Sequence, residues 1–283
     1  MKENKVLIIG GAGFLGQTIA KKLYPLLGRY LVLADILPKI DFPGNYFQLD
    51  ILSKECFKRV PEDFNTVINC TGQITNPINQ CFKLNTSGIK NILDFVKKCN
   101  ARLIHISTIS VYGSSSEYIE EDSPLNPESP YASFKAVAEF EIQSELEVEK
   151  FAILRLSNLY GDNQKKGVIA YLLRAIPRGE KLFFNHNGSL KRHYIHIDDA
   201  AKIICQAVSG LQYGIYNVCS RDFITIRELV NNIESITGKT IMVEYERTEP
   251  WENIEKVGDK KLRTTFNVQF NNTINKYLTN KLS

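Results

Sequence analysis

A phenol and an ammonium group lie one helical turn apart in Tyr131-Ala132-Ser133-Phe134-Lys135. Residues at this spacing share one face of a helix, so Tyr131 and Lys135 can act on the same ligand. A Tyr that works as a base at neutral pH needs its pKa lowered by about three units, or about 4 kcal/mol. The positive charge of Lys135 could supply part of this shift. The segment therefore predicts acid/base chemistry with Tyr131 as the proton carrier.

A hydroxyl group that could complete this site lies upstream, in Ser107-Thr108. These residues follow a β-branched run, so Thr108 could stand opposite the phenol and hydrogen-bond a substrate oxygen. A cap at the end of the strand is the alternative role of Thr108. Spacing alone is weak evidence, because Tyr277 and Lys281 share it in the C-terminal tail, where we assign no function.

A glycine-rich turn near the N-terminus predicts a binding site for a pyrophosphate. The strand Val6–Ile9 is followed by a helix, and the turn between them contains Gly10, Gly13, Phe14, Leu15 and Gly16. Backbone N–H groups and the helix N-terminus can hold phosphate there, because glycine lets a ligand approach the backbone. A tight turn without a ligand is the alternative.

Asp35 ends the second predicted strand, 19 residues after Gly16. A carboxylate at this position accepts hydrogen bonds from the 2′-hydroxyl of an adenosine ribose and repels a 2′-phosphate. No Arg follows to balance a 2′-phosphate, although Lys39 is close in sequence. NAD is therefore favoured over NADP as the cofactor. Its oxidised nicotinamide would add a second positive charge near Tyr131.

Two further strand ends could touch the same cofactor. Asp50 and Ile51 follow the third strand, where a carboxylate can reach an adenine amino group. A turn or a helix cap is an equally good interpretation of Asp50. Thr71 follows the fourth strand, and the small Gly72 beside it would let the cofactor lie against the backbone.

Alternating strands and helices must position these residues. Short β-branched runs are separated by segments of helical length, which predicts βαβ units and a parallel sheet. Ser129 and Pro130 suit the N-cap and first position of the helix that carries Tyr131. The predicted strands are Val6–Ile9, Tyr30–Ala34, Tyr46–Leu49, Thr66–Cys70, Arg102–Ile106 and Phe151–Leu156. The predicted helices are Gln17–Leu27, Ile78–Cys99, Tyr131–Glu149, Val168–Ile176, Asp198–Val208 and Thr225–Thr237.

This order predicts a Rossmann-like, doubly wound α/β fold with a smaller C-terminal lobe that binds the substrate. Residues 1–160 form the dinucleotide-binding domain, later segments return to its sheet, and residues 161–283 form mainly the smaller lobe. The chain has 283 residues, of which 43% are hydrophobic and 23% charged. These proportions fit a globular protein and exclude disordered, collagen-like and disulfide-scaffold classes.

Composition and charge exclude several other classes. The six cysteines form no CxxC pair and the histidines do not cluster, so we expect no metal site. The net charge of +4 is spread in short runs, which does not indicate nucleic-acid binding. No apolar run reaches the length of a membrane span, and Val6–Ile9 is too short for a signal peptide. We therefore expect a cytoplasmic protein.

The chain resembles the extended short-chain dehydrogenase/reductase family, and within it the NAD-dependent epimerase/dehydratase group that acts on nucleotide sugars. The resemblance covers nearly the whole length and rests on motifs that occur in the family's order and at familiar separations. They are Gly10-x-x-Gly13-x-x-Gly16, Asp35, Asp50-Ile51, Asn85 in Leu84–Asn91, Ser107–Gly113 ending in Val111-Tyr112-Gly113, Tyr131-x-x-x-Lys135, Arg155–Gly161 and Arg192–Asp199.

The resemblance implies a role for each catalytic residue. Tyr131 would be the general acid/base, Lys135 its electrostatic partner and a ligand of the cofactor ribose, and Thr108 the hydroxyl partner. Asn85 would lie near the nicotinamide, unless it only caps its helix.

A nucleotide-diphosphate sugar is the substrate that the resemblance implies. Asn158 and Arg192 would face its diphosphate, because a guanidinium binds two phosphate oxygens at once. Arg247 would match a second diphosphate arginine, although Pro250-Trp251-Glu252 departs from the usual pattern.

The residues after Thr108 favour one reaction within the group. Family 4,6-dehydratases carry an Asp-Glu pair there, where this chain has Ile109 and Ser110. Decarboxylating members carry Glu at the second position, and 3,5-epimerase/reductases carry Cys at the first. The resemblance therefore favours an NAD-dependent nucleotide-sugar epimerase that acts at C4 through a transient 4-keto intermediate.

Two alternatives remain open. The first is an NAD(P)H-dependent reductase of a nucleotide-4-keto-sugar, and the second, which the intact Tyr131, Lys135 and Thr108 disfavour, is a non-catalytic Rossmann binding protein. The resemblance also implies a homodimer formed through the predicted helices Ile78–Cys99 and Tyr131–Glu149. No motif indicates the nucleotide base or the sugar.

Overall fold

A seven-stranded parallel sheet forms the centre of the computed structural model, which describes residues 4–38, 40–73, 75–210, 212–248 and 252–282. The strands are β1 (Val6–Ile9), β2 (Leu31–Asp35), β3 (Asn45–Gln48), β4 (Thr66–Asn69), β5 (Arg102–Thr108), β6 (Ser115–Ile119), β7 (Phe151–Leu156), β8 (Asn158–Tyr160), β9 (Leu182–Phe184), β10 (Lys191–His196), β11 (Gly214–Val218), β12 (Asp222–Thr225), β13 (Val243–Tyr245) and β14 (Ile254–Val257). The order in the central sheet is β11-β7-β5-β4-β1-β2-β3, and every neighbouring pair is parallel.

Helices connect these strands and cover both faces of the sheet. They are α1 (Phe14–Leu27), α2 (Lys54–Phe57), α3 (Ile78–Asn85), α4 (Ser87–Lys98), α5 (Pro130–Glu145), α6 (Val168–Ala175), α7 (Ile197–Ser209), α8 (Ile226–Thr237), α9 (Lys260–Thr265) and α10 (Ile274–Leu282). None of the described helices combines the length and apolarity that a bilayer crossing requires.

The central strands are buried on both faces, as parallel strands between helices must be. Successive side chains point to opposite faces, so Val6 and Ile8 pack with α1 and α7. Leu7 and Ile9 pack on the other side with α4 and α5. The predicted doubly wound α/β fold is confirmed.

A second core lies in the smaller lobe. Leu172 of α6, Leu229 of α8 and Leu278 of α10 are fully buried together with Tyr160 and Leu182. Three small sheets frame this lobe and its junction with the central sheet, namely β12-β10-β8, β13-β9 and β14-β6. The lobe is therefore built from segments after β7, whereas β11 and α7 return to the central sheet.

One predicted helix is wrong. The segment Ile78–Cys99 forms two helices, α3 and α4, because Thr86 leaves the helical conformation with φ −120° and ψ −88°. The apolar periodicity continues across this break and so concealed it. The predicted helix Tyr131–Glu149 ends earlier, at Glu145, because Leu146 is extended. At its start, the predicted N-cap is confirmed, since the Ser129 side chain accepts the N–H of Ala132.

Candidate active site

A cavity of about 880 Å³ lies at the carboxyl ends of the central strands. Ligands of doubly wound folds bind at this edge, because the loops after the parallel strands meet there. The wall on the other side comes from residues 162–169 and Tyr194 of the smaller lobe. The predicted site residues that line the cavity are Gly10, Gly13, Phe14, Leu15, Gly16, Thr108, Tyr131 and Asn158.

The glycine-rich turn places the N-terminus of α1 at this cavity. A Cβ on Gly16 would lie 2.3 Å from the carbonyl oxygen of Gly10, so only glycine allows the turn to close this tightly. In the described chain no side chain caps α1, and no acidic residue stands in its first turn. The free N–H groups and the helix dipole therefore favour an anionic group here.

Asp35 lies beside the same turn. One carboxylate oxygen accepts the N–H of Ala12 at 3.0 Å, and the other accepts the N–H of Leu37 at 3.3 Å. The acidic group is thus held where the sequence predicts the ribose. Lys39 lies outside the described residues.

Three further predicted cofactor residues, Asp50, Ile51 and Thr71, lie outside the described cavity lining, as do Asp35, Asn85 and Lys135. The Asp50 carboxylate accepts the N–H of Leu52 at 2.9 Å, so it stabilises a turn. Ile51 is buried, and its carbonyl accepts the Asn91 side chain at 2.8 Å. Thr71 donates its hydroxyl to Asn69 at 2.6 Å. Contacts of these three with a cofactor stay predictions.

Asn85 is buried behind the turn at Gly72. Its amide donates to the carbonyls of Gly72 at 3.1 Å and Cys81 at 3.0 Å. Its Oδ1 atom has no hydrogen-bond partner among the described residues. Gly72 has a φ of +79°, and a Cβ there would lie 2.5 Å from this oxygen. Asn85 therefore supports the backbone that leads to Gln73 and leaves one acceptor for a ligand.

The Tyr131 hydroxyl donates to Oε1 of Gln73 in the cavity. Removal of solvent from the phenol raises the pKa of Tyr131, and the negative charge of Glu252 adds to this shift. This direction is opposite to the one that a base requires. The protein alone therefore holds Tyr131 protonated, and its activation by an oxidised nicotinamide stays a prediction.

Lys135 lies one turn after Tyr131 and is fully buried. Its Nζ atom donates to the carbonyls of Ile106 at 2.8 Å and Thr71 at 3.3 Å. Burial lowers the pKa of Lys135 to about 8, and the charge of Glu139 opposes this shift. Lys135 is therefore close to losing its proton at slightly alkaline pH.

The position of Thr108 fits both of the roles considered for it. The side chain caps the 3₁₀ turn Ile109–Tyr112 by accepting the N–H of Ser110 at 3.2 Å. It also lines the cavity together with Tyr131. A hydroxyl whose oxygen accepts from the backbone keeps its own proton for a substrate oxygen.

The predicted diphosphate residues are only partly brought together. Asn158 lines the cavity and donates to the carbonyl of His193 at 3.1 Å. Arg192 donates to the carbonyl of Glu252 at 2.9 Å, but Arg192 itself does not line the described cavity. Arg247 is exposed in a bend and does not reach the described cavity wall. A diphosphate contact by either arginine stays a prediction.

Comparison with known proteins identifies the family. The model of the NAD dependent epimerase/dehydratase family matches residues 6–219, which is most of the chain. The chain belongs to this family. It is therefore an enzyme of the extended short-chain dehydrogenase/reductase type, and NAD is its cofactor.

Relatives within the family have different activities. A putative UDP-glucose 4-epimerase of Methanocaldococcus jannaschii is 26% identical over 253 residues, which is 82% of both chains. The dTDP-4-dehydro-6-deoxyglucose reductase of Escherichia coli is 27% identical and covers 87% of this chain and 85% of its own.

Solved structures share the fold. The UDP-glucose 4-epimerase of Thermus thermophilus, in complex with NAD, superimposes with a TM-score of 0.84 at 24% identity, covering 98% and 97% of the two chains. The dTDP-glucose 4,6-dehydratase of Bacillus anthracis, also with NAD, has a TM-score of 0.85 at 23% identity and covers 99% and 95%.

The described residues of this family member fit NAD. The close packing of Gly16 on Gly10 leaves the α1 N-terminus open to a pyrophosphate. Asp35 would hold the adenosine ribose, and the buried Oδ1 of Asn85 is an acceptor in need of a donor. Within the described ranges no three His, Cys, Asp or Glu side chains cluster as metal ligands would.

Sequence reasoning missed two polar residues of the cavity in this enzyme. Gln73, two residues after Thr71, binds the phenol directly. Glu252 comes from the distant segment before β14, and its carboxylate accepts the hydroxyl of Ser129 at the start of α5. The turn after the fourth strand was a signal for Gln73. Nothing local in the sequence indicated Glu252.

Three lysines also belong to the cavity wall, namely Lys21, Lys165 and Lys166. Lys21 lies on α1, and the other two belong to the loop after β8. Their positive charge suits the anionic ligands that the glycine-rich turn predicts.

Proposed function

We propose that the protein is an NAD-dependent nucleotide-sugar epimerase that acts at C4. The observation that carries this proposal is the cavity wall after Thr108. Ile109 and Ser110 both line the cavity there, and neither side chain can act as the acid or base of a dehydration. Oxidation and re-reduction at one carbon needs only a proton carrier and a hydroxyl partner, which Tyr131 and Thr108 provide.

The reaction would remove a proton and a hydride from the C4 carbinol and then return both to the same carbon and oxygen. When bound, NAD accepts a hydride from C4 and later returns it. Tyr131 would take the proton of the C4 hydroxyl as the hydride leaves, which forms the 4-keto sugar. Thr108 would donate a hydrogen bond to the C4 oxygen. The keto sugar would then rotate so that its opposite face receives the hydride. Tyr131 would return the proton to the C4 oxygen, which completes the inversion.

Reduction of a nucleotide-4-keto-sugar is the second candidate function. The reductase of Escherichia coli is as similar to this chain as the putative epimerase is. The same Tyr131, Thr108 and Lys135 would serve it, because both reactions share the return of the hydride. The difference is that a reductase releases its oxidised cofactor after each turnover, whereas an epimerase retains it.

The fate of the cofactor separates these functions. We would denature the freshly purified protein and identify the released nucleotide by chromatography and mass. We expect stoichiometric NAD or NADH, and conversion of at least one of UDP-, dTDP-, CDP- and GDP-hexose to its C4 epimer. An empty protein that binds NADPH more tightly than NADH and reduces a 4-keto sugar would contradict the epimerase proposal.

We also propose that the enzyme is a homodimer. The outer faces of α3 and α5 carry apolar side chains that are far more exposed than the core, namely Ile78 (50%), Phe82 (49%), Val137 (44%) and Phe140 (70%). Such a contiguous apolar face is typical of a subunit interface. α3 and α5 of two copies would form a four-helix contact. Because the predicted helix Ile78–Cys99 breaks at Thr86, only its first part, α3, takes part in this contact.

Phe140→Glu tests the dimer. A charge in the centre of this face should shift the mass measured by light scattering from dimer to monomer, because burying an unpaired carboxylate is costly. Leu26→Glu is the matched control, since Leu26 is 75% exposed on α1 and far from the face. A wild-type mass of one chain would refute the proposed dimer.

A further inference from the structure

A fully buried ion pair lies beneath the candidate active site. The guanidinium of Arg155 on β7 contacts the Glu139 carboxylate on α5 through Nε at 3.1 and 3.0 Å and through Nη2 at 2.7 Å. Both side chains are almost completely excluded from solvent. Removing either partner leaves a buried charge, so such a pair holds its elements in one arrangement.

Further hydrogen bonds extend this pair across the sheet. The hydroxyl of Ser107, next to Thr108, donates to Oε1 of Glu139. Arg155 donates through Nη1 to the Tyr112 hydroxyl at 2.5 Å, and that hydroxyl donates to Asn217 on β11 at 2.8 Å. The network therefore joins α5 to the strand end that carries Thr108. It also gives a structural reason for Tyr112 and Arg155, to which the motif analysis assigned no role.

The same carboxylate lies one turn after Lys135. Positions four apart on a helix are neighbours, and both side chains are fully buried. Lys135 itself is hydrogen-bonded to carbonyl oxygens and forms no ion pair among the described residues. Glu139 is the group whose negative charge opposes the effect of burial and keeps the pKa of Lys135 from falling further.

The other titratable groups that face Lys135 cannot supply the negative charge that Glu139 provides. The thiols of Cys70 and Cys81 have raised pKa values, since both are buried, and so carry no charge at neutral pH. His105 has its pKa lowered by burial and by Lys135, so it is neutral. Tyr131, on the same helix, is protonated.

We propose that Glu139, held by Arg155, is a positioning residue for the reaction. Its buried carboxylate keeps the Lys135 ammonium charged and fixes the strand end that presents Thr108. The effect on turnover rests on the proposed function, whereas the effect on Lys135 does not. Glu139 is fully buried and lies outside the described cavity lining, so we expect it to act through Lys135 and Thr108.

Glu139→Gln separates charge from shape, because an amide can still accept from Ser107. Buried Arg155 would then be unpaired, so we pair this variant with Glu139→Gln/Arg155→Met, which removes both charges. The titration of Lys135 is followed in the full chain by NMR of lysines labelled with ¹³C at Cε, and the Lys135→Met spectrum assigns the signal. We expect the Lys135 titration to move from about pH 8 to lower pH in both variants, by about one unit.

Kinetics provide the second readout. The charged form of Lys135 exists below its pKa, so the alkaline limb of kcat should move to lower pH in the variants. At pH 8 we expect kcat to fall about fivefold while KM for the nucleotide sugar stays within about twofold. Glu145→Gln removes a carboxylate from the exposed end of the same helix and should change neither property.

The outcomes distinguish the two proposals. An unchanged Lys135 titration in the folded double variant would overturn the role of Glu139, whatever the activity. A shifted titration in a protein that epimerises no nucleotide sugar would support the role of Glu139 and refute the proposed function. A single variant that fails to fold is answered by the double variant, in which Arg155 no longer leaves a buried charge without its partner.

Discussion

Tyr131→Phe should lower epimerase turnover by about 10²- to 10⁴-fold, because it removes the only proton carrier that we assign. Cofactor binding should change little, since the ring stays in place and only the hydroxyl bond to Gln73 is lost. Turnover is measured with the nucleotide sugar that the wild type converts. NADH binding is measured by fluorescence titration of the nucleotide-free protein.

Tyr277→Phe is the matched control for this variant. Tyr277 and Lys281 repeat the spacing of Tyr131 and Lys135, but their side chains contact Asp162 on the other side of the loop after β8. We expect turnover within about threefold of wild type, because the Tyr277 hydroxyl contacts Asp162 and not Tyr131. Equal turnover of wild type and Tyr131→Phe would refute the assignment of the acid/base.

Asp35→Asn should reduce the preference for NADH over NADPH by about 10- to 100-fold, because a charged hydrogen bond to the ribose and the repulsion of a 2′-phosphate both disappear. The amide oxygen can still accept the N–H of Ala12, so the glycine-rich turn should keep its shape. The two dissociation constants are measured by fluorescence titration.

Asp35→Ala separates the charge from the turn. This variant also loses the Ala12 contact, so we expect weaker binding of both cofactors in addition to the lost preference. If Asp35→Asn kept the full preference for NADH, the ribose contact would have to lie elsewhere, and Asp35 would be only a structural partner of Ala12.

The parts of the site that could be predicted are those encoded locally. The turn Gly10–Gly16 and the pair Tyr131 and Lys135 each lie within seven residues of sequence, and their spacing fixes their geometry once a helix forms. The cap at Ser129 follows from the same local rules. These elements agree with the structure because no distant contact is needed to create them.

The parts that could not be predicted depend on distant contacts. Glu252 reaches the cavity only because β14 pairs with β6, more than a hundred residues earlier in the chain. The network of Glu139 and Arg155 also requires two elements to meet through the sheet. The direction of the Tyr131 pKa shift depends on how much solvent the folded cavity removes. Neither spacing nor residue type encodes such quantities.

The position of β11 at the edge of the central sheet has a consequence for how the chain can be made or divided. β11 pairs with β7 from Gly214 to Val218, and α6 and β10 of the smaller lobe precede it in the chain. A nascent chain or fragment that ends near residue 160 would leave β7 as an open edge, to which other chains could add. The central sheet is therefore completed only after part of the smaller lobe has been synthesised, so the two lobes cannot be separated by dividing the chain near residue 160.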